Sequence, residues 1–295
     1  MNQEQAGDDI ELRHGDLAVR VSRRGAAVTA ATYRRIPFLV AAGGAEGIMA
    51  NFAMVPFGNR VEGNIMSFAG RDYAFQPNTT DPLYRHGDGW LGLWQLEDSS
   101  PEHAQFCFSR SADGVSPYAY LTRQEIRLAG DALVLTLSVE NRGETALPFG
   151  LGQHPFFART PKTRLTIAAD RYWNERPDHL PDMPGPVPDD FDFRSEKVLP
   201  QRWMNNAFEG WNGRAAIAWP ELGIRAALEA DGALDRFMLY MPVRSDFFCL
   251  EPMSHLPNGH HLPDFGGLAP LAPGEELAGT VTILMSALPV HPEEG

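Results

Sequence analysis

A chain of 295 residues with 43% hydrophobic content is long enough to bury a large core, and all-β folds commonly reach this size as one domain. Its formal net charge of −13 repels a phosphate backbone or an anionic membrane surface on average. Lysine occurs only at Lys162 and Lys197 and the arginines are scattered, without the basic stripe of a nucleic-acid binder, so neither nucleic acid nor a membrane is expected as a partner.

Residues 1–11 are polar and acidic, with neither a basic n-region nor an apolar h-region, and are expected to be a flexible segment rather than a secretory leader. The body, 12–290, is expected to form one domain, and 291–295 a flexible tail. No apolar run approaches the ~18 residues of a membrane span, which points to a soluble cytoplasmic protein. The two cysteines, Cys107 and Cys249, match no metal or redox spacing and are expected to be free thiols.

With 28 Gly and 24 Pro spread along the chain, few stretches can hold an unbroken helix of ordinary length. A first strand is predicted over 17–21. Leu133, Leu135, Leu137 and Val139 then alternate with Val134, Thr136 and Ser138, the period-2 signature of a strand, and Gly130-Asp131 turns this run back on 124–128 as a hairpin. Further strands are predicted at 165–168, 215–218, 224–228, 237–240, 247–250 and 280–285. Between them, 177–200 is rich in Pro and Asp and is expected to be a surface excursion that supplies no continuous ladder. Many short strands with closely spaced turns indicate a large antiparallel β-sandwich.

Four segments concentrate chemically active residues: 56–60 (Pro-Phe-Gly-Asn-Arg), 85–90 (Arg-His-Gly-Asp-Gly-Trp), 152–157 (Gly-Gln-His-Pro-Phe-Phe) and 249–252 (Cys-Leu-Glu-Pro). A histidine among aromatics is more often structural than catalytic. Glu251 stands out because it closes the apolar run 247–250, where an ionised carboxylate is costly to bury unpaired. A paired structural glutamate is the alternative at this point.

Taken together and in this order, the four segments resemble the aldose 1-epimerase, or galactose mutarotase, family: an Asn-Arg pair, a His-Gly, a His-x-aromatic-Phe and a late strand ending in Glu. The similarity runs from about Gly25 to Leu288 and includes the turn at 271–275. The resemblance implies an all-β supersandwich with a sugar cleft on one sheet. It also implies that His154 protonates the ring oxygen, that Glu251 takes the proton of the anomeric hydroxyl, and that Asn59, Arg60 and His86 hold sugar hydroxyls. Where members carry an Asp-His-x-Phe segment this chain has Asn205-Asn206-Ala207-Phe208, so Asn205 replaces a carboxylate that would make charge-assisted bonds. Phe156 stands where members often have tyrosine.

The chemistry suits that pair. Opening a hemiacetal needs O1 deprotonated while O5 is protonated, so one acid and one base suffice, with no cofactor and no metal. Imidazole titrates near ~6.5 unperturbed, which suits a group that donates and recovers a proton. Glu251 is expected to be ionised, with activity falling in mildly acidic buffer. Trp90 and Phe156 either stack on the apolar face of a pyranose or simply pack in the core.

Other readings stay open. His255, His260, His261 and Asp264 look like a metal cluster, but adjacent histidines on an extended chain point opposite ways; a loop lining the cleft rim fits better. A glycoside hydrolase needs a second carboxylate, for which Asp88 and Asp235 are candidates. A non-catalytic carbohydrate-binding or sensing protein would keep Arg60 and the aromatics without needing both His154 and Glu251. A hexose 6-phosphate mutarotase would need Arg60, Arg71 or Arg85 at the phosphate. The sugar itself and the oligomeric state are not encoded in any motif.

Overall fold

The computed structural model describes residues 9–44 and 47–288. Among them every ladder between strands is antiparallel, and no helical turn exceeds five residues. The described strands form two large sheets, of twelve and nine strands, with two small two-stranded pairs beside them. No described helix is long and apolar enough to cross a membrane.

The predicted hairpin is the centre of the nine-stranded sheet. Tyr120–Ala129 and Ala132–Asn141 pair along their whole length, with Ile126 opposite Leu135 and Gly130 in the left-handed region at the turn. Burial alternates along both strands because one face meets the other sheet and the other meets solvent. The remaining predicted runs are strands as well: Leu17–Ser22, Arg164–Ile167, Arg214–Trp219, Ile224–Gly232, Arg236–Met241, Phe247–Met253 and Glu276–Ala287.

Two boundaries differ from expectation. Strand Asp9–His14 begins inside the segment expected to be flexible, because its residues pair in register with Leu17–Ser22 and bury Leu12. Residues 1–8, and the expected tail at 291–295, lie outside the described residues. The excursion 177–200 does contribute ladders: Pro181–Gly185 pairs with Arg171–Glu175, and Lys197–Val198 pairs with Arg164–Ile167. Both are outermost strands of their sheets. An edge strand has one partner only, so it tolerates prolines such as Pro181 and Pro184 that a central strand would exclude.

The larger sheet is buried on both faces at its centre. Along Phe247–Met253, Phe248 and Leu250 join the core between the sheets, whereas Cys249 and Met253 join a second apolar cluster on the opposite face with Phe52, Trp90 and Phe156. The neighbouring strands repeat this split, with Phe237, Leu239 and Phe208 inward and Met238 and Ala207 outward. A two-sided strand reads as a continuous apolar run, which is why 247–250 shows no alternation.

Side-chain hydrogen bonds tie the two sheets together, from Gln153 to Gln124 at 2.9 Å and from Trp219. Trp219, fully buried on the nine-stranded sheet, donates from its indole nitrogen to the carbonyl of Ala158 on the larger sheet at 2.7 Å and packs beside Phe157. Trp219→Ala is expected to lower unfolding free energy by about 3–5 kcal/mol through the cavity it leaves. Trp219→Phe, which keeps most of the volume but orphans the Ala158 carbonyl, is expected to cost about 1–3 kcal/mol. Urea unfolding of both variants checks the order, and a Phe variant as damaged as the Ala variant contradicts it.

Candidate active site

Antiparallel register brings the two candidate proton carriers together. Gly152 pairs with Met253 and Phe156 with Cys249, so the intervening His154 lies opposite Glu251 across the same strand pair. Their side chains meet on the outer face of the sheet, His154 Nε2 lying 3.3 Å from Glu251 Oε1. They are adjacent instead of facing one another across a gap. Phe52 and Phe156 stack against the imidazole, at 4.6 and 4.8 Å between ring centres, and Phe52 O accepts the His154 backbone N–H. These contacts fix the ring in one orientation.

The pair forms part of the wall of a cavity of about 310 Å³, and all six residues predicted for the site line it: Asn59, Arg60, His86, His154, Asn205 and Glu251. The first three come from two loops bridged to each other, Val55 to Gly87 and Arg60 to Arg85. Glycine is required at position 87, where a Cβ would sit 2.0 Å from Val55 O and φ is +67°. The tight turns leave Asn59 and His86 in the left-handed region.

These turns settle what each side chain can still offer. Asn59 Oδ1 already accepts the Arg60 N–H, and its Nδ2 lies 3.0 Å from the Met238 sulfur, so Asn59 has an amide hydrogen for a ligand but its acceptor is engaged. His86 Nδ1 accepts the Asn59 N–H, which puts the ring proton on Nε2. Burial and the neighbouring His154 hold His86 well below the usual histidine range, so it is a neutral donor. Arg60 is clamped to Asp81 at 2.9 and 3.0 Å, while Arg85 reaches the same carboxylate at 3.6 Å.

Desolvation reverses the expected charge states of the central pair. Burial raises Glu251 from its ordinary 4.5 to about 8, with the Arg60 charge opposing, and lowers His154 from 6.5 to about 3. At neutral pH the pair therefore holds one proton, resting on the carboxyl, whereas an ionised Glu251 was expected. Two full charges lose more hydration in a dry wall than a neutral acid beside a neutral imidazole.

Further along the same sheet lie residues that the motifs did not reveal. Glu175 accepts hydrogen bonds from Asn205 Nδ2 at 2.6 Å and Trp203 Nε1 at 2.7 Å, and lies 2.6 Å from His179 Nδ1. Asn205, Trp203 and His179 all line the cavity, as does Tyr240. Asn205 thus presents its amide from a carboxylate mount. His179 stands inside the proline-rich excursion and Trp203 just beyond it, where no periodicity marks them; the exposed indole of Trp203 beside Asn205 is the one usable signal. Trp90 and Phe156 are both core and lining, since each belongs to the outer apolar cluster and borders the cavity.

The segment carrying His255, His260 and His261 braces the cleft from behind instead of lining its rim. His255 Nε2 accepts the Gly58 N–H at 2.8 Å and its Nδ1 donates to Leu256 O. His260 lies 3.2 Å from the Tyr118 hydroxyl, and His261 donates to Ile65 O. These histidines point to separate partners, so they form no metal site among the described residues.

A family model described as aldose 1-epimerase matches residues 8–284. The uncharacterized protein YphB of Escherichia coli K12 is 38% identical over 284 residues, 92% of this chain and 97% of that protein. A solved Escherichia coli K12 structure is 36% identical, with a TM-score of 0.89 over 95% of this chain and 99% of that one. The GalM/aldose epimerase homologue of C. elegans has the same fold at 16% identity, with a TM-score of 0.80 over 95% and 99% of the two chains. With the motif residues gathered around one cavity and the match running nearly end to end, the chain belongs to the aldose 1-epimerase family.

Proposed function

We propose that this protein interconverts the α and β anomers of an aldose by opening and reclosing its hemiacetal ring, with His154 and Glu251 moving the protons. The observation that carries this reading is the 3.3 Å contact between His154 Nε2 and Glu251 Oε1 in the wall of a cavity of about 310 Å³, the small end of ligand pockets and suited to one monosaccharide. O1 and O5 of a pyranose share carbon C1, so two adjacent protein groups can serve both. With one proton between them, the pair passes it from Glu251 to His154. His154 then protonates O5 as Glu251 takes the proton from O1, and the C1–O5 bond breaks without a full charge building on either oxygen. Rotation about C1–C2 presents the other aldehyde face, and the same groups close the ring in reverse.

Neutral His86 donates to a hydroxyl from Nε2, and Asn59 and Asn205 add amide contacts. A glycoside hydrolase is disfavoured, because Glu251 is the sole carboxylate among the cavity-lining residues described, and two are needed to cleave an acetal. A phosphorylated sugar is the second reading. It is favoured by two guanidinium groups, Arg60 and Arg85, sharing one carboxylate, Asp81, which leaves one positive charge uncompensated at the cavity edge.

NMR exchange between anomers, run over free and phosphorylated hexoses and pentoses, tests the activity and the sugar together; failure of the wild type to speed exchange of any aldose removes the enzymatic reading. Within that assay, His154→Ala and Glu251→Gln are each expected to slow exchange by roughly 10²–10⁴-fold. Near-wild-type rates in both would exclude the assignment.

The proton count sets the pH profile. Since Glu251 keeps its proton to about 8 and His154 gains a second only near 3, kcat/KM is expected to stay level from about pH 5 to 7 and to fall as pH rises through about 8. A decline in mildly acidic buffer instead would indicate an ionised glutamate in the free enzyme.

The same shift makes Glu251 a cost to stability. Unfolded, it ionises near 4.5; folded, it stays protonated to about 8. Between these values the unfolded state binds fewer protons, so stability falls as pH rises. Glutamine stays neutral throughout. Glu251→Gln is expected to add about 1–3 kcal/mol of unfolding free energy near pH 7.5, shrinking toward pH 4.5; urea titrations at the two pH values measure it, and a pH-independent difference would refute the burial argument.

A further inference from the structure

Residues two apart on a strand face the same side, and on Phe247–Met253 this puts the Cys249 thiol beside the Glu251 carboxyl on the cleft face of the sheet. His154 approaches from the adjoining segment. One ligand atom from each of the three residues lies within 4.8 Å of the others, the only such group of His, Cys, Asp and Glu donors among the described residues. Cys249 is fully buried, and His154 and Glu251 nearly so. His154 Nδ1 is a buried polar atom with no hydrogen-bond partner among the described residues, so the imidazole is held by stacking and by the Glu251 contact at its other nitrogen.

We propose that His154, Cys249 and Glu251 form a binding site for a zinc-class divalent cation, which competes with the sugar by occupying its proton-transfer pair. Three protein ligands of nitrogen, sulfur and oxygen, with a fourth position open to a cavity, are the donor set of open tetrahedral zinc sites. Bonds of about 2.0–2.3 Å place the ligand atoms of such a site roughly 3.3–3.8 Å apart. The His154–Glu251 separation of 3.3 Å is already there, and the remaining gaps close with side-chain rotation of about an ångström. Charge favours the ion too: a dication with a thiolate, a carboxylate and a neutral imidazole sums to zero, so a buried wall that penalises either anion alone accepts all four together. On binding, one proton leaves Cys249 and one leaves Glu251 for the solvent. Cys249 has no part in the proposed ring opening, so metal sensitivity and turnover are separable by mutation.

Cobalt(II) is the spectroscopic probe and zinc(II) its competitor. One equivalent of Co²⁺ added to the full-length protein is expected to produce a thiolate-to-metal absorption band in the near ultraviolet, displaced by Zn²⁺ and suppressed by saturating sugar. Cys249→Ser is expected to stay folded with a lowered melting temperature, because it buries a hydroxyl in an apolar cluster, to retain anomer exchange, and to lose the band together with Zn²⁺ affinity by about 100-fold or more, the upper end of what losing even a supporting group costs. Cys249→Ala should behave alike, which guards against a folding defect in the serine variant. Absence of the band, its persistence in both Cys249 variants, or its loss instead in His103→Ala, where Asp98 and Glu125 flank a surface histidine at 3.5 and 3.3 Å, overturns the site. The inhibition rests on the proposed reaction, but the band does not: a Cys249-dependent band in a protein without exchange activity keeps the metal site and removes the epimerase reading, while activity without the band does the opposite.

Discussion

Glu251 sits where a carboxylate is least comfortable, on a strand buried on both faces, and a single ladder decides what it meets there. The pairings of Gly152 with Met253 and Phe156 with Cys249 bring one imidazole opposite it, and among the described residues no other side chain is bonded to its oxygens. A shift of that register by one residue would send His154 to the other face and leave the acid with no partner. Much of the surrounding structure guards this pairing: the inner core locks the strand from below, and Phe52 and Phe156 lock the ring from above.

The cavity wall depends on a chain of positioning contacts that starts behind it. His255 holds the Gly58 amide, the Gly58–Asn59–Arg60 turn then presents the Asn59 amide to His86, and Asp81 restrains the two arginines. Elsewhere in the lining Glu175 gathers Asn205, Trp203 and His179. The buried members of this set each need a partner; meeting that need also fixes how they face the cavity. Glu175 thus sets a carboxylate one step behind the Asn205 amide.

The strands of the nine-stranded sheet were legible because one face is solvated: Leu133, Leu135, Leu137 and Val139 can alternate with polar residues only where water takes the other side. The central strands of the larger sheet lack that contrast, so the stretch from Phe247 to Met253 announces a strand without saying which residue faces the cleft. Pro181 and Pro184 misled for a related reason, since a proline excludes a central strand but not an outermost one. The motif residues Asn59, Arg60, His86, His154 and Glu251 were recognisable by their order. His179, Trp203 and Glu175 belong to no motif, and a loop residue shows its purpose only when the loop's landing place is known.

Residue types and their order thus determined the chemical vocabulary of this protein: one imidazole and one carboxyl fit to exchange protons, amides and guanidinium groups fit to hold hydroxyls, and turn-punctuated strands too short for helices. Tertiary structure decided the rest, namely that these groups share one cavity, that Asn59 has its acceptor already engaged, that the histidines after Glu251 are struts, and that the proton of the central pair rests on the glutamate. The reason is that ionisation follows desolvation. How much water a side chain loses is set by all the chain that closes over it, and no local stretch of sequence records that.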